Sequence, residues 1–340
     1  MAQILITGVA GFIGSHLLAH ALDEGHSVVG VDNFLTGKME NIEAVVAKQP
    51  IYEERFRLLR DDIRDPDAMR HAASDCQIIF HQAAVGSVPW SIDDPRLTHD
   101  TNLTGFLNIL DAARANNIRR VVYASSSAVF GDAPAARAIE GAEGSSLTPY
   151  AASKFSQEIY AQAYAQCYGM ELIGLRYFNV FGERQDPKGA YAAVIPRWIH
   201  AMKRGEPCTI YGDGSSTRDY CHVSNIVLAN ALAARADLKN EPSTGRAIAL
   251  NIGCGIETTL TELHAMIQHL LETYTGIKAA PPTFTPPRPG DIQHSCADIT
   301  RAQQILSYNP HTNVYDGLKT LLWGNQFPHT PCDTPYRSGA

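Results

Sequence analysis

The chain alternates short apolar runs with longer stretches in which apolar positions recur at helical spacing. ILITG (4–8), SVVGVD (27–32), RFRLLRDDI (55–63), CQIIFHQAA (76–84), RRVVYASSS (119–127) and ELIGLRYFNV (171–180) predict strands. Between them, 14–25, 102–117 and 149–169 predict helices. The last of these opens on Pro149 and stops at Gly169, the residue types that favour a helix start and a helix end. Strand–helix alternation predicts an α/β fold with a parallel sheet covered on both faces.

After residue 180 the pattern changes: glycine and proline rise, and short strands mix with helices. The expected organisation is a first domain over 1–180 and a smaller mixed α/β domain over 181–330, with some later segments returning to the first. PPTFTPPRPG (281–290) is expected to be a proline-rich loop, and the polar tail beyond about 325 to be weakly ordered. No internal repeat or low-complexity segment stands out.

Composition narrows the class. With 340 residues and 45% hydrophobic positions, the chain can bury a large core. A net charge of −7 argues against a general binder of nucleic-acid backbones. Seven scattered cysteines without a CxxC pair give no zinc or redox signature, no metal site is expected, and free thiols suit a reducing compartment. The start, MAQILITG, lacks a basic leader, and no apolar run approaches the roughly 20 residues that span a bilayer. The expectation is a cytoplasmic protein with no membrane or nucleic-acid partner.

TGVAGFIGSH (7–16) sets Gly8, Gly11 and Gly14 between a predicted strand and a predicted helix. Glycines there permit a tight turn, close approach of backbone to a pyrophosphate, and close helix–strand packing. The helix N-terminus then faces the phosphates. The spacing is GxxGxxG, and its context is strengthened by Asp32 at the end of the next strand. A carboxylate there accepts both ribose hydroxyls and repels a 2′-phosphate, so NAD is favoured over NADP; Asn33 and Phe34 follow, with no arginine for a phosphate. Asp62-Ile63 and Gln82-Ala83-Ala84, at later strand ends, fit an adenine and a close-passing cofactor. The sheet is therefore expected to be of the Rossmann type, doubly wound.

SSSAVFG (125–131) places three hydroxyls at the end of a buried strand, and Tyr150 and Lys154 share one helical face. Strand ends and helix starts of such a sheet meet at its ligand-binding edge. A phenol ordinarily titrates near ~10 and becomes a base near neutrality only beside positive charge. A lysine ammonium and a cationic nicotinamide supply that charge, and a serine hydroxyl bridges to the substrate. Such a trio oxidises a secondary alcohol.

TGVAGFIGSHL, VDNF, DIRD, HQAA, SSSAVFGD, PYAASK, LRYFNVFG, TRDYCHV and RPGDIQHS together resemble the extended short-chain dehydrogenase/reductases, and within them the nucleotide-sugar 4-epimerases, over nearly the whole chain. The resemblance implies Ser126, Tyr150 and Lys154 as the catalytic trio, with Ser125 toward the cofactor or neighbouring backbone and Ser127 toward the substrate. It implies that Phe12, Ile13, Phe34, Gly37, Asn102 and Tyr177 join the NAD site. Gly86, Ser87, Asn179, Gln185, Ala193, Val194, Tyr211, Arg218, Arg288, Asp291 and Ser295 would form a UDP-sugar site: Asn179 on the diphosphate, Arg218 and Arg288 on phosphate and ribose, Asp291 on the uridine ribose. A homodimer joined through helices 102–117 and 149–169 is implied too.

Related dehydratases carry Asp-Glu just after the reactive hydroxyl; here Ser127 and Ala128 stand there, which leaves elimination without its acid and base. The implied reaction is reversible inversion at carbon 4 of a UDP-hexose through a 4-keto sugar. Ser295, where galactose-type relatives have tyrosine, leaves room for an N-acetyl group and points to the UDP-N-acetylglucosamine subgroup. Trp90 departs from that subgroup's arginine, so a UDP-uronic acid or UDP-glucose substrate stays open, as does a non-catalytic NAD-binding module.

Overall fold

A computed structural model describes residues 1–133, 137–187, 193–238, 246–287 and 292–323. Its centre is a parallel sheet built from β1 (Gln3–Thr7), β2 (Ser27–Val31), β3 (Phe56–Leu59), β4 (Ile78–His81), β5 (Arg120–Ser126) and β6 (Glu171–Tyr177). Four two- or three-residue strands follow, β7 (Val180–Phe181), β8 (Thr209–Tyr211), β9 (Thr217–Arg218) and β10 (Cys221–His222). Then come β11 (Ala247–Ile252), β12 (Thr258–Thr259) and β13 (Thr283–Thr285).

The main sheet has seven strands in the order β11-β6-β5-β4-β1-β2-β3. The chain winds outward from β1 in one direction, then from β4 in the other. That reversal opens a crevice at the carboxyl ends of β1 and β4, where open sheets of this kind bind ligands. The Rossmann-type sheet read from the sequence is thus present. β11 enters it from far down the chain and pairs in parallel with β6.

The strands carry apolar residues at successive positions because both faces are covered. On one face Ile4 and Ile6 pack with Leu17 and Leu18 of α1 (Phe12–Asp23) and with Ile226. On the other, Leu5 and Val121 pack with Phe106, Ile109 and Leu110.

The remaining helices of the first half are α2 (Met39–Val46), α3 (Pro50–Arg55), α4 (Pro66–Ala72), α5 (Val88–Asp93), α6 (Pro95–His99), α7 (Gly105–Ala115) and α8 (Pro149–Tyr168). The second half adds α9 (Val194–Lys203), α10 (Val223–Arg235), α11 (Leu260–Thr275), α12 (Thr300–Leu306) and α13 (Val314–Trp323). Trp198, Ile267, Leu270 and Leu318 make a separate core among α9, α11 and α13.

The α8 boundaries match the signals in its sequence. Thr148 accepts from the Ala151 amide at 3.2 Å, Pro149 opens the helix, and Gly169 ends it at φ 67. Three expectations are corrected. The helix over 102–117 begins as a π-helical turn over Asp100–Thr104 before continuing as α7. The strand over 55–63 shortens to four residues, with Arg55 closing α3. The supposed proline loop contains β13, in which Thr283 to Thr285 pair in parallel with Thr209 to Tyr211. The flanking prolines lie outside the paired residues, where a missing N–H costs nothing. The tail beyond 325 lies outside the described residues. Among these, no helix is long and apolar enough to cross a membrane.

Candidate active site

The glycine-rich segment forms the tight turn from β1 into α1. Gly8 sits at φ +70, and a side chain there would meet the Ala83 amide nitrogen at 2.8 Å. A Cβ on Gly14 would lie 2.0 Å from the Gly8 carbonyl oxygen, so only glycine lets the turn pass over the helix start. Gly11 caps α1 without a side-chain hydrogen bond, and the first turn of the helix carries no acid. Its free N–H groups and the positive end of the helix dipole are left for an anionic group.

A cleft of about 390 Å³ opens beside this turn. Gly8, Gly11, Phe12, Ile13, Gly14 and Asp32 line one side, and Asn33, Ile63, Gln82, Ala83 and Ala84 continue it. The Asp32 carboxylate is buried, accepting from the Ala10 amide at 2.9 Å and the Phe34 amide at 2.8 Å. Burial raises its pKa and the two amides oppose that shift. Gly37 lies against the same carboxylate, and Phe34 holds the turn after it at φ 59. A cradle without room for side chains, an uncapped helix start and a carboxylate at the end of β2 fit a dinucleotide such as NAD.

Some neighbours behave differently from the expectation. Asp62 is occupied by its own loop: Arg64 makes three hydrogen bonds to it and Asn33 donates at 2.8 Å. Arg64 chiefly holds its pKa down at about 2. Asp61, not singled out in the sequence, lines the cleft instead. The Asn102 side chain is spent on the wall, accepting from the Val85 amide at 2.8 Å and donating to the Val85 carbonyl and to Ser153 Oγ. Tyr177 is held between Gln82, to which it donates at 3.1 Å, and Asn230, which donates to it at 2.8 Å. Gly86, Ser87 and Trp90 line this cleft as well, so two residues expected at the sugar and the departure at Trp90 sit on the nucleotide side.

The serine row divides its work. Ser125 is buried and donates to Glu158 Oε1 at 2.5 Å, so its hydroxyl is turned to α8 instead of a cofactor. Ser126 ends β5 and accepts from the Ala128 amide at 3.1 Å, capping the turn Ser127–Phe130 that contains Ser127. The Ser126 hydroxyl stands beside the Tyr150 phenol. Burial raises the Tyr150 pKa, and the neighbouring Ser126 hydroxyl pulls it back. One helical turn on, Lys154 is buried and donates to the Ala124 carbonyl at 2.8 Å. Burial pushes its pKa down to about 7 against the pull of Glu158. The three groups therefore lie together at the carboxyl end of β5.

A second cavity of about 280 Å³ is lined by Asn179, Ala193, Val194, Tyr211 and Arg218 among others. Asn179 has φ +27 and donates to the Asp219 carbonyl at 3.2 Å. Gln185 donates to the Val180 carbonyl at 3.1 Å. Ser295 runs beside β9: its amide donates to the Thr217 carbonyl and its own carbonyl accepts from the Asp219 amide at 2.8 Å. Arg288 and Asp291 lie outside the described residues.

Sequence reasoning missed Asp219. It is fully buried and accepts from the amides of Cys254, Gly255 and Ala297 at 2.8, 2.9 and 3.2 Å. Burial pushes its carboxyl up to about 6 against those three donors. It ties two distant segments, at 254–255 and 297, to the strand that carries Arg218; only its place inside TRDY hinted at it. Among the described residues no cluster of His, Cys, Asp and Glu could hold a metal ion.

Residues 4–253 match the NAD dependent epimerase/dehydratase family. A UDP-glucose 4-epimerase of Mycolicibacterium smegmatis is 36% identical over 320 residues, spanning 93% of this chain and 96% of that protein. The solved structure of a UDP-N-acetylglucosamine 4-epimerase from Methanobrevibacter ruminantium, in complex with UDP-N-acetylmuramic acid, is 35% identical with a TM-score of 0.84, over 94% of this chain and 98% of that one. A UDP-glucuronic acid 4-epimerase from Bacillus cereus, in complex with UDP-glucuronic acid and NAD, is 27% identical with a TM-score of 0.81, over 95% and 98%.

Proposed function

Because this chain belongs to the NAD dependent epimerase/dehydratase family, we propose that it inverts carbon 4 of a UDP-sugar, most plainly UDP-N-acetylglucosamine to UDP-N-acetylgalactosamine. The observation that carries this reading is the placing of Ser126, Tyr150 and Lys154 at the carboxyl end of β5, in the same sheet whose β1 turn borders the dinucleotide cleft. NAD, which Gly8, Gly11, Gly14 and Asp32 would hold in that cleft, would supply reversible hydride acceptance at carbon 4.

The protein's own groups handle the proton. Tyr150 accepts the proton of the 4-hydroxyl and gives it back after the sugar turns. Ser126, whose hydroxyl stands beside the Tyr150 phenol, holds the sugar oxygen in line. Lys154, charged, keeps the phenol acidic enough to work near neutral pH. Gly8, Gly11 and Gly14 receive the pyrophosphate and Asp32 the adenosine ribose.

On the substrate side, Asn179 and Arg218 take the diphosphate and Tyr211, Ala193 and Val194 wall the cavity. Arg288 and Asp291 complete it on the resemblance alone. The small Ser295, with Gln185 and Ala193 at positions that match the subgroup near its N-acetyl group, supports an N-acetyl group on carbon 2. A UDP-uronic acid is the second reading: a cation facing the sugar's carbon 6 would favour it, and Trp90, which stands where the subgroup has arginine, lines the dinucleotide cleft. Residues 1–180 would hold the cofactor and 181–330 the sugar nucleotide, in a homodimer joined through α7 and α8.

The test mixes purified protein, without added cofactor, with UDP-N-acetylglucosamine, UDP-glucose and UDP-glucuronate separately, and follows the 4-epimers by NMR. Faster conversion of the N-acetyl sugar supports the reading. Preference for UDP-glucuronate moves the assignment to the uronic acid, and conversion of none rejects an epimerase.

A further inference from the structure

Beneath Lys154 lies a set of charges that the proton-transfer trio does not use. Glu158 follows Lys154 by one turn of α8 and is 3% exposed. Its carboxylate accepts Nε of Arg176 at 2.9 Å, a second guanidinium nitrogen at 2.6 Å and Ser125 Oγ at 2.5 Å. Arg176, 3% exposed, stands opposite Ser125 across the β5–β6 ladder, next to the pair Ser126 and Tyr177. Its third nitrogen reaches Glu143 Oε1 at 2.5 Å, and its guanidinium covers the Phe130 ring at 4.9 Å.

The formal charges are two carboxylates against one guanidinium. Glu158 and Arg176 are buried and Glu143 is half-buried, and Lys154 is the further cation on the same helical face as Glu158. A buried ammonium without a counter-charge is costly. The Ala124 carbonyl, to which Lys154 donates at 2.8 Å, supplies only a dipole.

We propose that Glu158 is a positioning residue for proton transfer: with Arg176 and Glu143 it forms a buried anionic counter-charge that keeps Lys154 an ammonium beside Tyr150. The inference rests on the reading of Tyr150 and Lys154 given above. The same set pins the end of β5, since Ser125 is bonded to Glu158 while its neighbour Ser126 meets Tyr150.

Other groups facing this region do not supply the charge. From β4, His81 is held neutral, its pKa pushed down to about 3 by burial and by Lys154. From β5, the Tyr123 phenol is raised well above its ordinary value by burial and by Glu158, so it stays protonated. The π-helical turn presents the neutral Asn102, whose carbonyl accepts from Gln157. From α7, Asp111 meets Tyr164, more than two turns further along α8. Glu158 pulls the Lys154 pKa up while burial pulls it down to about 7.

The test is the pH profile of kcat/KM for Glu158→Gln, which keeps the shape of the side chain. Lys154 supports the phenolate only while protonated, so activity falls as pH rises through the alkaline limb. Loss of the counter-charge moves that limb to lower pH, by about one unit. The variant then loses more activity at pH 8 than at pH 6, and Glu158→Asp recovers part of the shift. A uniform loss with an unmoved limb means that Glu158 only packs, and overturns the proposal.

Should Glu158→Gln fail to fold, Glu143→Gln decides: the half-buried arm of the set gives a smaller shift in the same direction, and an unmoved limb overturns the proposal. Tyr150→Phe in parallel separates the two levels. Turnover retained there removes the underlying reading, and the inference with it. Turnover lost there, with unmoved limbs in the Glu158 and Glu143 variants, removes the inference alone.

Discussion

The two cavities are built by different means. The dinucleotide cleft is shaped by backbone: glycines at the turn, an uncapped helix start, and amides that aim the Asp32 carboxylate. Its key pieces come from contiguous stretches of chain. The second cavity is shaped by side chains from separate segments, and the buried carboxylate of Asp219 anchors one of them, the run that carries Arg218 and Tyr220. A site made by local geometry tolerates no added atoms but needs no distant partner. A site made by long-range ties depends on the knot that gathers them.

The largest expected effect lies between the two. Tyr150→Phe should lower kcat by ~10²–10⁴, the usual contribution of a placed acid–base group, while UDP-sugar binding persists. Steady-state rates and a binding titration check both halves of that statement.

Next comes Gly14→Ala. Its Cβ would lie 2.0 Å from a backbone oxygen, so the turn must open, at a cost of ~1–3 kcal/mol. The purified variant should carry less NAD than the parent, read as nicotinamide released on denaturation. Equal NAD content would mean that the cradle is not where the cofactor sits.

Asp219→Asn probes the other cavity. Three amides lose a charged acceptor, and the strand carrying Arg218 and the run of Ser295 loosen together. KM for the UDP-sugar should rise by ~10-fold with a smaller change in kcat and unchanged NAD content. A change in NAD content instead would erase the contrast between the two regions. The smallest effect is expected for Ser295→Tyr, which should cut the preference for N-acetylated over plain sugar by ~10-fold or less. An unchanged ratio would remove Ser295 from the specificity argument.

What the sequence shows follows the same division. The glycine turn, Asp32 and the Tyr150–Lys154 spacing were readable because each is a local pattern: a turn, a strand end, one helix face. The seven-strand sheet was readable up to β6 for the same reason. β11 was not, because Ala247–Ile252 looks like any short apolar run until it is seen beside β6. Asn102 and Ser125 were assigned to the cofactor by likeness, and both side chains turned out to be spent on neighbours that sequence spacing does not reveal, Val85 and Glu158. Asp219 and the Glu158–Arg176–Glu143 set escaped entirely, since a buried charge is recognised only by the partners that bury it.

The central claim is that the chain inverts carbon 4 by hydride removal and return, with Tyr150 moving only the hydroxyl proton. The most direct measurement runs the epimerisation of UDP-N-acetylglucosamine in deuterated water and reads carbon 4 of the product by NMR. The account predicts a 4-epimer that keeps protium at carbon 4. Deuterium at that carbon would contradict it, because the inversion would then pass through a proton exchanged with solvent.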